Sequence, residues 1–88
     1  MANKYDDLDF DYGIDKCNEA LRNGCILADY PLTPSIIRDI REILGMLRSH
    51  EKISSEDAIR YKDFLPVQLM LTDHYWLLIR DYLDSLIH

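Results

Sequence analysis

The hydrophobic and polar positions along the chain repeat with the period of an α-helix in four segments. The first segment spaces its apolar residues by four, three and four positions: Phe10, Ile14, Cys17 and Leu21. We find no internal repeat, low-complexity segment or obvious linker. The sequence therefore predicts an all-α single domain over residues 1–88, a small helical bundle of about four helices. Their predicted bounds are approximately 7–23, 34–49, 55–64 and 67–87, and a start of the last helix at Thr72 is left open as an alternative.

The predicted helix starts carry residues that favour them. Thr33 followed by Pro34 supplies an N-cap residue and a proline at the first helical position. Ser54, with Asp57 three residues later, resembles a capping box in which aspartate replaces the usual glutamate or glutamine. Between the first two helices, the segment CILADY (residues 25–30) lacks a helical period, and we expect an extended connection there.

The last predicted helix has an apolar face wider than one neighbouring helix can cover. Such a face is typical of a central helix or of a dimer seam. One hypothesis is therefore a structural subunit that forms a homodimer or larger homo-oligomer through this helix. The dimer face would comprise Trp76, Ile79, Leu83 and Ile87. Two further apolar residues point towards the otherwise polar side of the helix: Met70 and Leu77.

Acidic residues outnumber basic ones by 16 to 10, which gives a net charge of −6. This charge repels phosphate backbones, so we predict no direct nucleic acid binding and no attraction to anionic membranes. The N-terminus lacks the features of a secretory signal, and no apolar run is long enough to span a bilayer. We expect a soluble, cytoplasmic protein in which Cys17 and Cys25 are reduced thiols.

The stretch DDLDFDYGID (residues 6–15) holds five of the acidic residues. A calcium loop counted from Asp7 would need glycine at its sixth position and glutamate at its twelfth. The glycine comes one place late, at Gly13, and Asn18 stands where the glutamate belongs, so we predict no calcium site. In a helix that reaches back to Asp7, four acidic residues would form a column: Asp7, Asp11, Asp15 and Glu19.

No catalytic or phosphate-binding motif is present, and we predict no enzyme activity, no metal and no cofactor. The main hypothesis is a small acidic module of the inhibitor, immunity or adaptor kind that binds another protein with a basic surface. In one form of it, the acidic face mimics a nucleic acid. Two questions stay open, whether the column is functional or only a solvated helix face and whether residues 1–9 are ordered. The predicted partner-binding residues are Asp7, Asp11, Asp15, Glu19, Tyr5, Tyr12 and Tyr30.

Overall fold

The chain folds into a small helical bundle with one short hairpin, seen in a computed structural model that describes residue 5 and residues 7–87. The all-α prediction is confirmed. The order of residues 1–4 and 6, left open by the sequence, lies outside the described residues. The elements are α1 (Phe10–Arg22), β1 (Ile26–Leu27), β2 (Tyr30–Pro31), α2 (Pro34–Arg48), α3 (Ser55–Phe64), α4 (Val67–Thr72) and α5 (His74–Ser85).

One hydrophobic core lies between the helices. α1 packs along α2, and α3 and α4 pack against α5, with side chains from α1, α2, α4 and α5 meeting in the core. The largest fully buried side chain is the indole of Trp76. Truncation of a buried tryptophan to alanine costs about 3–5 kcal/mol, so this residue holds α5 in the bundle. The other large side chains that are fully buried in this core are Cys17, Ile37, Ile40, Leu44, Leu47, Leu69, Ile79 and Leu83.

Side-chain caps fix the helix starts. The Thr33 hydroxyl accepts the Ile36 N–H at 3.2 Å, and the Ser54 hydroxyl accepts the Asp57 N–H at 3.1 Å, as the sequence predicted. The predicted start of the first helix was wrong. Its N-cap is Asp9, whose carboxylate accepts the Asp11 N–H at 3.0 Å. Asp7 therefore precedes the helix and does not continue the acidic column.

The predicted extended connection is an antiparallel hairpin of two short strands. Leu27 pairs with Tyr30 across a two-residue turn of Ala28 and Asp29. Both turn residues have positive φ, 49° and 63°, as in a type I′ turn. Glycine and asparagine favour this geometry, whereas alanine is strained in it. The Thr72 hydroxyl donates to the Ala28 carbonyl at 2.5 Å and ties the turn to α4.

The predicted helix over residues 67–87 is broken at Asp73, which has an extended backbone (φ −140°, ψ 111°). The Asp73 carboxylate accepts the Tyr75 N–H at 3.0 Å and caps α5. A short polar side chain makes this cap readily, so α4 ends before Asp73 and α5 begins after it as a separate helix. The apolar period hid the break, because it continues through both helices.

The wide apolar face of α5 belongs to the core of the single chain. Trp76, Ile79 and Leu83 are fully buried in the core, to which α1, α2 and α4 also contribute side chains. Ile87 is half-buried and lies beyond the end of α5. Three of the four residues of the predicted dimer face are therefore buried within the single chain, and association through this face stays a prediction.

Candidate functional site

The start of α1 is joined to α5 through the hydroxyl of Tyr75. In α2 and α3 the first backbone hydrogen bond is direct, as in the Ile37 N–H to the Thr33 carbonyl at 3.1 Å. In α1 the corresponding groups are bridged: the Gly13 N–H donates to the Tyr75 hydroxyl at 3.2 Å, and that hydroxyl donates to the Asp9 carbonyl at 2.6 Å. The tyrosine satisfies both backbone groups and fixes how α1 meets α5.

Gly13 provides the space for this bridge. A Cβ atom at this position would lie 2.7 Å from the Tyr75 hydroxyl and 2.6 Å from Cδ1 of Leu44. Both distances are shorter than a van der Waals contact, so only glycine lets α1 approach α2 and α5 this closely. This role could not be predicted from the sequence, because Leu44 and Tyr75 are far from Gly13 in the chain.

Tyr12 is the exposed aromatic residue on the same turn of α1. Its ring packs on that of Tyr75 with 4.6 Å between centroids, and its hydroxyl donates to the Asp73 carboxylate at 3.3 Å. The Lys16 ammonium lies 5.5 Å from the centre of the ring. With 39% of its surface exposed, Tyr12 is held in place yet offers a face to solvent. Such tyrosines are frequent anchors of protein interfaces.

An open cleft of about 260 Å³ lies beside Tyr12, between α1, the hairpin and the start of α5. Ile26, 54% exposed, forms its apolar rim on the hairpin. Three carboxylates line the cleft with only one ammonium group. We call this site the acidic cleft and define it by Tyr12, Lys16, Glu19, Ile26, Asp29 and Asp73.

The predicted acidic column is shorter and less charged than the sequence suggested. Asp11 forms an ion pair with Arg48 at 2.7 Å, and Glu19 lies 3.9 Å from the Lys16 ammonium. Asp15 is exposed and forms no ion pair with the described residues. Such exposed pairs contribute at most about 1 kcal/mol, so they lower the local charge without fixing the side chains. The structure brings only Tyr12 and Glu19 of the predicted partner-binding residues to the acidic cleft.

The other two tyrosines predicted as anchors are engaged within the chain. The Tyr5 hydroxyl donates to the Asp81 carbonyl at 3.1 Å, and its ring meets Tyr82 edge-on at 5.3 Å. Tyr30 is half-buried and packs against the core from β2. Both therefore hold parts of the fold together, and Tyr12 is the most exposed of the three.

Two groups that could act as nucleophiles or acids are held in their neutral forms. Burial raises the pKa of the Cys17 thiol to about 12, against a lesser opposing effect of Arg41. Burial also raises the pKa of Tyr75 above its ordinary value. Within the described residues, no group of three histidine, cysteine or carboxylate side chains could hold a metal ion. In the same part of the chain, no helix has the length and apolar character needed to cross a bilayer.

No protein-family model, no curated protein sequence and no solved structure matches this chain.

Proposed function

We propose that this protein binds another protein that presents a basic surface, and that the acidic cleft is the contact site. The supporting observation is that three carboxylates surround one open cleft together with exposed Tyr12 and Ile26. Among the described residues, the only positively charged side chain that lines this cleft is Lys16. Charge attracts a basic partner, while desolvated aromatic and aliphatic anchors supply most of the affinity. The site combines both requirements.

Binding would proceed in two stages. The net charge of −6 steers a basic protein towards the chain over a distance of about one Debye length. A lysine or arginine of the partner then meets the carboxylates of Glu19, Asp29 and Asp73, and an apolar side chain packs between Tyr12 and Ile26. This mode matches an inhibitor, immunity or adaptor protein, whose task is completed by binding alone.

Mimicry of a nucleic acid is a narrower form of the same proposal. It requires several uncompensated acids in a row, as along a strand of phosphates. Asp11 and Glu19 each lie near a cation, and Asp7 is outside the helix. These features favour a local acidic cleft over an extended phosphate-like row.

We propose binding without catalysis, because buried Cys17 and half-buried Tyr75 resist ionisation. We also propose a cytoplasmic location, since the two cysteines are free thiols, which suits a reducing compartment. Homo-oligomerisation through α5 receives no support from its buried apolar residues.

A capture experiment with matched variants tests the proposal. The immobilised chain is incubated with a lysate of its native host, and retained proteins are quantified by mass spectrometry. The cleft variant, Glu19→Gln with Asp29→Asn, changes the net charge from −6 to −4. The control, Asp39→Asn with Glu51→Gln, makes the same change at exposed positions outside the cleft.

The proposal predicts a stoichiometric basic partner that the wild-type chain and the control retain and the cleft variant loses. Equal retention by all three proteins would contradict the role of the acidic cleft. Retention of no stoichiometric partner would contradict the proposed function as a whole.

A further inference from the structure

A row of apolar side chains on α4 is open to solvent. Val67 and Leu71, one helical turn apart, are 59% and 78% exposed. Half-buried Met70 and Leu77 extend this row into a groove of about 460 Å³ between the end of α3, α4 and α5. We call these four residues the apolar row. Burial of exposed apolar side chains is favourable, so the row is a source of binding energy that the fold leaves unused.

The charged residues that line the groove are Lys62, Asp63 and Arg80, and of these the half-buried Arg80 lacks a carboxylate partner in the described part of the chain. Lys62, on one side, pairs with Asp84 at 3.0 Å. Arg80 is half-buried, and in the described part of the chain it makes no ion pair or hydrogen bond. A partly desolvated guanidinium is well suited to a carboxylate, which it can bind through two parallel hydrogen bonds.

Size and charge decide which kind of partner fits this groove. A stable dimer buries about 800 Å² on each partner, whereas the apolar row comes from a six-residue helix and one residue of α5. A short segment of another protein needs less area, and a carboxylate on it would pair with Arg80.

We infer that the apolar row and Arg80 form a second binding surface, which takes a short helical segment of another protein. The segment presents leucine-like side chains one turn apart with a carboxylate beside them, in the manner of a helix bound in a groove. The groove shares no residue with the acidic cleft. A chain that binds a basic surface at one site and an acidic helix at the other is an adaptor between two partners.

Two synthetic peptides with the same leucine spacing test this inference, one with flanking glutamates and one with flanking lysines. Each is titrated into the ¹⁵N-labelled full chain, and backbone amide shifts are followed by NMR. The glutamate peptide is expected to shift the resonances of α4 and Arg80, with an affinity at least about tenfold higher than that of the lysine peptide.

Three variants locate the binding site. Leu71→Asp is expected to weaken binding of the glutamate peptide at least about tenfold, because the central anchor is lost. Arg80→Gln is expected to remove the preference for glutamate. Ile59→Asp changes another exposed apolar residue, 44% exposed on α3, and should leave binding unchanged.

Several outcomes would overturn the inference. These are equal affinity for both peptides, binding of neither, and binding that is insensitive to Leu71→Asp. Analytical ultracentrifugation gives a further check on the wild-type chain. A dimer that Leu71→Asp dissociates would assign the apolar row to a second copy instead.

Discussion

At the scale of single residues, the two glycines that lie within helices, Gly13 and Gly45, differ in how closely other side chains surround them. Gly13 permits the contact between α1, Leu44 and Tyr75, whereas nothing lies within 4 Å of a Cβ atom placed on Gly45. Gly13→Ala should therefore lower the free energy of unfolding by about 1–2 kcal/mol, since overpacking outweighs the gain in helix propensity. Gly45→Ala should raise it by up to about 1 kcal/mol.

Urea denaturation followed by circular dichroism measures both changes. Each variant serves as the control for the other, because both add one methyl group to a helix. A stabilising Gly13→Ala would show that α1 does not approach Leu44 and Tyr75 as the structure describes.

The buried thiol of Cys17 predicts a loss of stability at alkaline pH. The unfolded chain releases this proton near pH 9, whereas in the folded chain the pKa is about 12. The contribution is therefore complete below about pH 9 and is lost as the pH rises towards 12. Between these values, the free energy of unfolding should fall by about 1.4 kcal/mol per pH unit for this group. Tyr75, whose pKa is also raised, adds to the fall above about pH 10.

Urea midpoints under reducing conditions at about pH 8 and pH 10 measure this effect. Cys17→Ala should show a weaker dependence on pH than the wild-type chain, because the buried thiol is absent. Cys25→Ala is the matched control, since Cys25 is only half-buried, and it should keep the wild-type dependence. Equal slopes for all three proteins would rule out a protected thiol at position 17.

At the scale of elements, the hairpin turn carries backbone strain that glycine would relieve. Ala28 has φ 49°, where an alanine costs roughly 1 kcal/mol and glycine costs little. Ala28→Gly should raise the free energy of unfolding by up to about 1 kcal/mol, while the carbonyl still accepts from Thr72. Thermal or urea unfolding measures the gain. A destabilised Ala28→Gly variant would contradict the left-handed conformation of this turn.

How well the sequence predicted each element depends on how local its causes are. The starts at Thr33 and Ser54 were predicted, because a capping side chain binds a backbone group only three residues away. The break at Asp73 was missed in the predicted bounds, although the alternative helix start at Thr72 lies next to it. An aspartate can either cap a helix or lie within it. Which of the two occurs also depends on contacts with residues far away in the chain, such as the Tyr12 hydroxyl. The hairpin was missed because Ala28 and Asp29 are unusual residues for a type I′ turn.

At the scale of the whole molecule, composition was the ground for predicting a basic partner, but it could not locate the proposed contact site. The excess of acids indicated a basic partner, and the helical period indicated the bundle. The acidic cleft draws its walls from α1, the hairpin and the start of α5, which only the tertiary fold brings together. Tyr12 and Glu19 could be proposed from the sequence, because both lie on the predicted first helix. Ile26, Asp29 and Asp73 could not, because only the fold brings them to the cleft.

The central claim, that carboxylates of the acidic cleft bind a basic partner, predicts a strong dependence of affinity on salt. For the captured partner, the Kd of the wild-type chain should rise at least about tenfold between about 50 and 300 mM NaCl, because salt screens exposed charges. The Asp39→Asn, Glu51→Gln control should behave almost like the wild-type chain. Glu19→Gln with Asp29→Asn should bind more weakly at low salt and respond less to added salt.

The most direct measurement is therefore isothermal titration calorimetry of these three proteins with that partner at the two salt concentrations. A Kd that rises steeply with salt for the wild-type chain and the control, and only slightly for the cleft variant, is the predicted result. A Kd that is independent of salt, or that changes equally in all three proteins, would contradict the claim.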